Sequence, residues 1–264
     1  MIPYAPAATY RICADGGANR LRSAFFTSVN TEAVALPHAV VGDLDSLTDK
    51  TKSFFANLGV QIVEKPSQYA TDLQKAIQTL EDWEGSEVAA GQSQAELVIF
   101  GGLSGRLDQT AHTLHVLWKL CPGLAAGGGY EDPDANDTEN ARGGNLRKRR
   151  RTYVAGDGSL VWLLPPGHHR LVHPRPVLGK ACGILPFGVE AGSGNVSGSV
   201  GARVKTKGLQ WDVEPDQPQS LGGYLSTSNY LPDGDSPEVI LETDKAVYWS
   251  VEIEDAGGHN SSDD

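Results

Sequence analysis

Five aspartates each stand at or shortly after the end of a short apolar run in the first half of the chain: Asp15, Asp43, Asp45, Asp72 and Asp108. If these runs are strands of an open parallel sheet, their C-terminal ends lie along one edge, where ligands bind. Carboxylates brought together repel one another, and a divalent cation relieves that repulsion. Because Mg²⁺ prefers oxygen ligands and also binds phosphate oxygens, the pattern predicts a Mg²⁺ site that handles a phosphate group.

Two glycine pairs accompany these aspartates. Gly16 and Gly17 follow Asp15, and Gly101 and Gly102 begin a loop that continues to Asp108. Glycine-rich loops and helix starts bind phosphate through free backbone N–H groups, which favours a nucleotide site. Asp and Gly are also common in turns, so the motif at 15–17 alone equally fits an ordinary turn. The pair Gly101 and Gly102 is more specific, because it places two unhindered backbones beside an Arg and an Asp, although it is not a Walker loop.

The elements that position these residues alternate between strand and helix patterns. The apolar runs are 11–14, 39–41, 60–63 and 96–100. Thr71 and Gln74 form a predicted capping box at a helix start, and an apolar stripe at helical spacing follows it. Strands that alternate with helices predict a parallel sheet with right-handed crossovers.

The chain divides into four predicted segments. Residues 1–121 are the α/β nucleotide-binding domain, 122–151 a flexible insert, 152–254 an all-β sandwich domain and 255–264 a disordered tail. The insert ends in a run of five basic residues, 147–151, which fits a solvated linker, a nuclear signal or an anion-binding patch.

Composition excludes several classes of protein. The net charge of −11 argues against duplex nucleic acid as a partner, because an acidic surface repels phosphate backbones. Three widely spaced cysteines favour neither a disulfide framework nor a zinc site and fit a reducing cytoplasm. No apolar stretch approaches the length of a membrane span.

The second half of the chain contributes a candidate aromatic site. Trp211 fits either a core position or an exposed ring that binds a flat cation. The polar cluster 226–229 fits a turn or a set of hydrogen-bonding groups for a polar heterocycle.

Taken in order, these motifs resemble those of eukaryotic thiamine pyrophosphokinases. The resemblance runs from about residue 10 to residue 253 and rests on 14–19 (ADGGAN), 42–46 (GDLDS), 71–72 (TD), 101–109 (GGLSGRLDQ), 208–211 (GLQW), 226–229 (STSN) and 242–244 (ETD). It implies a Rossmann-like parallel-sheet domain followed by a β-sandwich, in a homodimer with a composite active site. It implies Mg²⁺-dependent transfer of the pyrophosphoryl group of ATP to the hydroxyl of thiamine, giving thiamine diphosphate and AMP.

The resemblance also implies residue roles. The catalytic and metal-binding residues would be Asp43, Asp45 and Asp72. The nucleotide side would be lined by Asp15, Gly16, Gly17, Gly101, Gly102, Arg106 and Asp108. Thiamine would be bound by Gln68, Trp211, Ser226, Ser228 and Asn229. Asp72 is the first candidate to orient or deprotonate the hydroxyl, and a role as metal ligand alone fits it equally.

The chain departs from the family pattern at Tyr69, where the family usually has an acidic residue, and has only residues 1–10 where the family usually has a further strand. Two alternative functions are a nucleotide-sugar transferase, which the D-x-D motif at 43–45 alone supports, and a non-catalytic nucleotide or thiamine sensor.

Overall fold

The N-terminal elements alternate as the sequence predicts. The computed structural model describes residues 8–26, 35–87, 95–124, 146–149, 151–175, 177–187 and 201–254. The first six elements are β1 (Ile12–Ala14), α1 (Gly17–Phe25), β2 (Ala39–Gly42), α2 (Asp49–Asn57), β3 (Gln61–Glu64) and α3 (Asp72–Glu87). The three strands form one parallel sheet in the order β1-β2-β3, and α3 packs against β1 and β2.

The capping box at the start of α3 is confirmed. The backbone N–H of Thr71 donates to Oε1 of Gln74 at 3.0 Å, and the backbone N–H of Gln74 donates to Oγ1 of Thr71 at 3.4 Å. These reciprocal bonds satisfy N–H groups that a helix start leaves without partners. The cap therefore sets the position of Asp72, the first residue of the helix.

The remaining elements are β4 (Leu97–Phe100), α4 (Leu107–Leu120), β5 (Thr152–Gly156), β6 (Ser159–Leu164), β7 (Gly167–Val172), β8 (Leu178–Leu185), β9 (Val204–Lys207), β10 (Ser226–Tyr230), β11 (Glu238–Thr243) and β12 (Val247–Ile253). They build a six-stranded sheet in the order β10-β8-β12-β6-β5-β4 and a three-stranded sheet in the order β7-β11-β9. All pairings in these two sheets are antiparallel except that of β4 with β5.

The partner of β4 differs from the sequence-based prediction. Periodicity placed this strand in the parallel sheet of the first three, but it pairs along its whole length with β5, from Leu97 opposite Thr152 to Phe100 opposite Ala155. The prediction missed β5 and therefore left β4 without its true neighbour. Strand periodicity shows which face is buried but not which strand lies alongside.

The antiparallel strands share one hydrophobic core. Trp249 and Ile184 from the six-stranded sheet and Val239 and Leu241 from the three-stranded sheet are almost fully buried in the same cluster. The parallel sheet has a separate core around Val40 and Phe55. The fold is thus mixed α/β, with a parallel sheet and sheets that are largely antiparallel.

The described residues form two compact units. One comprises 8–26, 35–87 and 146–147, and the other 95–124, 148–149, 151–175, 177–187 and 201–254. The segment boundaries predicted from the sequence stay predictions. Most of the predicted insert 122–151 and the whole predicted tail 255–264 lie outside the described residues. No helix in the described part of the chain has the length and apolar character needed to cross a bilayer.

Candidate functional site

Strand register brings two of the predicted aspartates together. Ala14 at the end of β1 lies opposite Val41 of β2, so Asp15 and Asp43 each leave the same edge of the parallel sheet. Asp72 reaches this edge from the N-terminus of α3. One carboxylate oxygen from each of Asp15, Asp43 and Asp72 lies within 4.8 Å of the other two, and we call these three residues the acidic cluster.

Asp15 is the buried member of the acidic cluster. Only 1% of its surface is exposed, and its φ of +32° is a strained value for a residue with a side chain. Its Oδ2 accepts the backbone N–H of Ser46 at 3.1 Å, whereas its buried Oδ1 has no hydrogen-bond partner among the described residues. Burial, with a further contribution from the charges of Asp72 and Asp43, raises the pKa of Asp15.

Asp43 is held by donors on both oxygens. Its Oδ1 accepts the backbone N–H of Asp45, and its Oδ2 accepts from Nε2 of Gln68 at 3.3 Å and from Nζ of Lys75 at 3.4 Å. Burial acts to raise the pKa of Asp43, but these bonds and the positive charge of Lys75 together lower it. Asp43 is therefore ionised at neutral pH and available as a cation ligand.

Lys75 belongs to this site although the sequence reasoning missed it. Its side chain is almost fully buried, and its ammonium donates to Oδ1 of Asp72 at 3.0 Å, one helical turn away. It also bridges to Asp43 at 3.4 Å. The spacing of Asp72 and Lys75 on α3 is the signal that could have revealed the pair, because residues three apart share a helix face.

Gly42 is a second residue that the sequence reasoning left without a role. A Cβ at this position would lie 2.6 Å from Cβ of Asp15 and 3.0 Å from Oδ1 of Asp72. The absence of a side chain therefore lets the two carboxylates approach each other across the end of β2.

The acidic cluster fits a divalent cation. Three carboxylates and the ammonium of Lys75 leave a formal charge of −2 when all are ionised. The donors are all carboxylate oxygens, which suit Mg²⁺, and Oδ1 of Asp15 is a buried acceptor still to be satisfied. The predicted metal ligand Asp45 is exposed and accepts from Oγ of its neighbour Ser46, so Asp15 joins Asp43 and Asp72 in the geometric cluster instead.

Replacing Asp15 with asparagine is expected to stabilise the metal-free chain. The neutral amide removes a buried charge and its repulsion with the other two carboxylates, which gives about 1 kcal/mol or a few degrees in Tm. Folding raises the pKa of Asp15. Protonated Asp15 therefore stabilises the fold at acidic pH, and this stabilisation is lost as the pH rises through the pKa of the folded state. The gain in Tm should therefore be larger at pH 7 than at pH 4.

Thermal unfolding in EDTA at both pH values measures this effect. Asp45→Asn is the matched control, because that carboxylate is exposed and its removal should leave Tm nearly unchanged. A Tm for Asp15→Asn below that of the unaltered chain at pH 7 would contradict the prediction, because it would show that the charge of Asp15 stabilises the fold.

The predicted nucleotide-binding residues fall in both units. Gly16 caps α1 and Gly17 begins it, directly after Asp15. Gly101, Gly102, Arg106 and Asp108 belong to the other unit, and the predicted approach of Asp108 to the acidic cluster stays a prediction. There, Gly102 has a φ of +78°, and a Cβ at this position would lie 2.6 Å from Oγ1 of Thr113.

Arg106 and Asp108 form a bidentate pair at the start of α4. Nε of Arg106 donates to Oδ1 of Asp108 at 3.1 Å, and Nη2 donates to Oδ2 at 2.5 Å. The hydrogen bonds from Arg106 lower the pKa of Asp108. Both side chains are exposed, so the pair presents a guanidinium with further donors to solvent.

Trp211 is an exposed ring held by a rigid backbone. Its exposed fraction is 54%, which excludes the core position that the sequence left open. Oδ1 of Asn229 accepts its N–H at 3.2 Å, and Nδ2 of Asn229 donates to its carbonyl at 2.7 Å. Tyr230 packs edge-on against the indole, with ring centroids 5.6 Å apart. Asn229 thus positions the indole by bonding to the backbone N–H and carbonyl of Trp211.

The polar cluster 226–229 is part of an edge strand rather than a turn. Ser226 and Asn229 are buried and point inward, where Nδ2 of Asn229 donates to Oγ of Ser226 at 3.4 Å. Ser228 has a φ of +53° and is exposed, at an irregularity in the pairing of β10 with β8. Of the three residues predicted to bind thiamine here, only Ser228 presents its side chain to solvent.

Comparison with known proteins identifies the family. Residues 3–123 match the family model for the thiamin pyrophosphokinase catalytic domain, and residues 168–248 match that for the thiamin pyrophosphokinase vitamin B1 binding domain. Thiamine pyrophosphokinase 1 of Arabidopsis thaliana is 30% identical to this chain over 260 residues, which cover 95% of the chain and 80% of the plant protein. The chain belongs to the thiamin pyrophosphokinase family.

Further relatives agree with this assignment. Thiamine pyrophosphokinase 3 of Oryza sativa is 29% identical to this chain, over 93% of this chain and 79% of the rice protein. The solved structure of a yeast thiamin pyrophosphokinase superposes with a TM-score of 0.66, at 23% identity, over 93% of this chain and 78% of that one. The solved structure of the thiamin pyrophosphokinase from Candida albicans superposes with a TM-score of 0.65, at 19% identity, over 94% of this chain and 82% of that one. The resemblance drawn from the sequence motifs is confirmed, and the chain shares the fold of these thiamin pyrophosphokinases.

Proposed function

We propose that this chain transfers the pyrophosphoryl group of ATP to the hydroxyl of thiamine, giving thiamine diphosphate and AMP. The observation that carries the proposal is the acidic cluster of Asp15, Asp43 and Asp72, in a chain that belongs to the thiamin pyrophosphokinase family. The match to a vitamin B1 binding domain and the exposed indole of Trp211 support thiamine as the acceptor. The thiazolium ring of thiamine is a flat cation, which an indole face binds well.

Mg²⁺ is the proposed cofactor, and Asp15, Asp43 and Asp72 would hold it, with Asp45 beside them. When bound, Mg²⁺ would neutralise charge on the phosphate oxygens of ATP. Lys75 keeps two of the carboxylates in place by bonding to both. The glycines at the start of α1, and in the second unit Gly101, Gly102, Arg106 and Asp108, are the proposed nucleotide-binding residues.

The reaction requires one bond to form and one to break. The hydroxyl oxygen of thiamine attacks the β-phosphorus, the bond between that phosphorus and the oxygen bridging to the α-phosphate breaks, and AMP leaves with the electron pair. The hydroxyl proton must pass to a base, and Asp72 is the proposed acceptor or orienting group. Its Oδ1 accepts from Lys75, so Oδ2 is the oxygen available for this role.

Product analysis tests the proposal. Incubation of the purified chain with thiamine and Mg-ATP should give thiamine diphosphate and AMP in equal amounts by mass spectrometry. Formation of ADP and thiamine monophosphate would contradict the mode of transfer. Tight binding of thiamine without product would instead indicate a sensor, and preference for a UDP-sugar over ATP would indicate a sugar transferase.

Replacing Trp211 with alanine is expected to weaken thiamine binding about tenfold or more, because the cation loses its aromatic face. Trp211→Phe should keep most of the affinity, since it retains a ring. Equilibrium binding of thiamine measures both variants, and equal affinity in the alanine variant and the unaltered chain would exclude Trp211 from the site.

We further propose a cytoplasmic homodimer built from Rossmann-like and β-sandwich domains. Its active site would be composite, with Gln68 from one subunit and Trp211, Ser226, Ser228 and Asn229 from the other.

Refolding a mixture of two inactive variants tests this arrangement. Asp72→Asn and Trp211→Ala chains, each impaired alone, should regain activity when unfolded together and refolded, because a mixed dimer contains one intact site. Activity that stays at the level of the separate variants would contradict the composite site.

A further inference from the structure

The second unit contains a cavity whose lining includes none of the residues proposed to take part in the reaction. Its volume is about 500 Å³, within the range of small-molecule pockets. The C-terminal end of α4 and strands β5 and β6 form its walls. Leu117, Leu163 and Leu164 supply apolar surface, so the cavity is suited to a ligand with an apolar part.

The polar lining of the cavity is cationic. Arg149 and Arg151 both line it, and no Asp or Glu occurs among the described residues that do. Arg149 is only 1% exposed, and its Nη1 donates to the carbonyl oxygen of Ala95 at 3.4 Å, so its positive charge is buried at the cavity wall. Arg151 pairs with Glu96, and because a guanidinium has five N–H donors, this pair leaves others to bind an anion. These residues belong to the basic run 147–151, for which the proposed reaction has no use.

Neighbouring donors add to this charge. Thr152 lines the cavity, and its buried Oγ1 has no hydrogen-bond partner in the part of the chain that the structure describes. Nζ of Lys148 is likewise buried without a hydrogen-bond partner there. Burial raises the pKa of the lining thiol Cys121, and the positive charge of Lys148 partly opposes that rise.

Two aromatic rings line the same cavity. Tyr153 and Trp162 meet edge to face, with ring centroids 5.7 Å apart. The lining also includes His169 of β7, the strand that follows β6 along the chain. Aromatic walls favour a flat ring as the apolar part of a ligand. Several cationic donors favour a dianion over a single carboxylate, and a phosphate monoester carries nearly two charges at neutral pH.

We propose that this cavity binds a phosphate monoester carried on a flat aromatic ring. Arg149 and Arg151 hold the phosphate with Thr152, and Tyr153 and Trp162 contact the ring. The lining shares no residue with the acidic cluster, so the cavity is a second ligand site on the chain and does not depend on the proposed function.

Titration calorimetry of the full chain with phenyl phosphate tests the proposal. Phenyl phosphate should bind about tenfold more tightly than inorganic phosphate, because only the ester contacts the aromatic wall. Arg151→Gln should weaken binding about tenfold or more, since it removes a charge-assisted donor. Arg170→Gln is the matched control: Arg170 is an exposed arginine in an ion pair with Glu238, in the same unit but not lining the cavity, and its loss should leave the affinity unchanged.

A further variant and four possible results test the proposal against contradiction. Thr152→Val preserves shape and should weaken binding several-fold without lowering Tm. Absence of heat with phenyl phosphate, equal losses in Arg151→Gln and Arg170→Gln, or loss of binding in Asp72→Asn would each overturn the proposal. Equal affinity for phenyl phosphate and inorganic phosphate would overturn its aromatic part.

Discussion

Asp72→Asn is expected to lower kcat/KM for thiamine diphosphate formation about 1,000-fold. In the structure, Oδ1 of Asp72 accepts from Nζ of Lys75 at 3.0 Å and from the backbone N–H of Asp43 at 3.3 Å. Asparagine has nearly the same shape, and its side-chain oxygen can accept the same two hydrogen bonds. The fold should therefore survive. The negative charge is lost, and with it several kcal/mol of interaction with a divalent cation and the phosphates it binds.

The dependence on Mg²⁺ distinguishes the two roles left open for Asp72. If Asp72 is a metal ligand alone, raising the Mg²⁺ concentration should restore part of the activity; if it also accepts the hydroxyl proton, kcat stays low at saturating Mg²⁺. Asp82→Asn is the matched control, because Asp82 lies on the same helix, is exposed and pairs with Lys65. Unaltered activity of Asp72→Asn at limiting Mg²⁺ would remove Asp72 from the site.

Gly42→Ala is expected to lower activity about 100-fold while adding only one methyl group. That methyl would lie 2.6 Å from Cβ of Asp15 and 3.0 Å from Oδ1 of Asp72, so both side chains must move apart. Displacement of catalytic groups by about 1 Å costs about 100-fold in rate, and overpacking costs about 1–3 kcal/mol of stability.

Gly85→Ala is the control for this substitution. Gly85 lies in α3 and is exposed, and a Cβ there meets no atom within 4 Å, so alanine should stabilise the helix slightly and leave the activity unchanged. Measurement of kcat/KM and Tm for both variants separates the two effects. Full activity of Gly42→Ala would show that the close approach of Asp15 and Asp72 is not needed for the reaction.

The sequence was informative about local structure and about residues that follow strands. The capping box of Thr71 and Gln74, the strand-helix alternation and the positions of Asp15 and Asp43 after β1 and β2 are all present in the structure. Each of these depends on residues close together in the chain. The order of the motifs also identified the family, because their sequence of occurrence is more specific than any motif alone.

The contributions of Lys75 and Gly42 could not be inferred in the same way. Lys75 becomes a partner of Asp43 only because α3 packs against β1 and β2, and Gly42 matters only because Asp15 and Asp72 flank it in space. The pairing of β4 with β5 and the exposure of Trp211 are likewise consequences of packing.

The amino-acid order settled which residues could carry charge, cap a helix or end a strand, since these properties depend on a few neighbouring positions. Tertiary structure decided which of them meet. Asp15 rather than Asp45 completes the acidic cluster, because the register of β1 on β2 and the start of α3 bring one of its oxygens within 4.8 Å of one oxygen each of Asp43 and Asp72. Register and helix packing arise from the burial of distant apolar residues, and no local pattern contains that information.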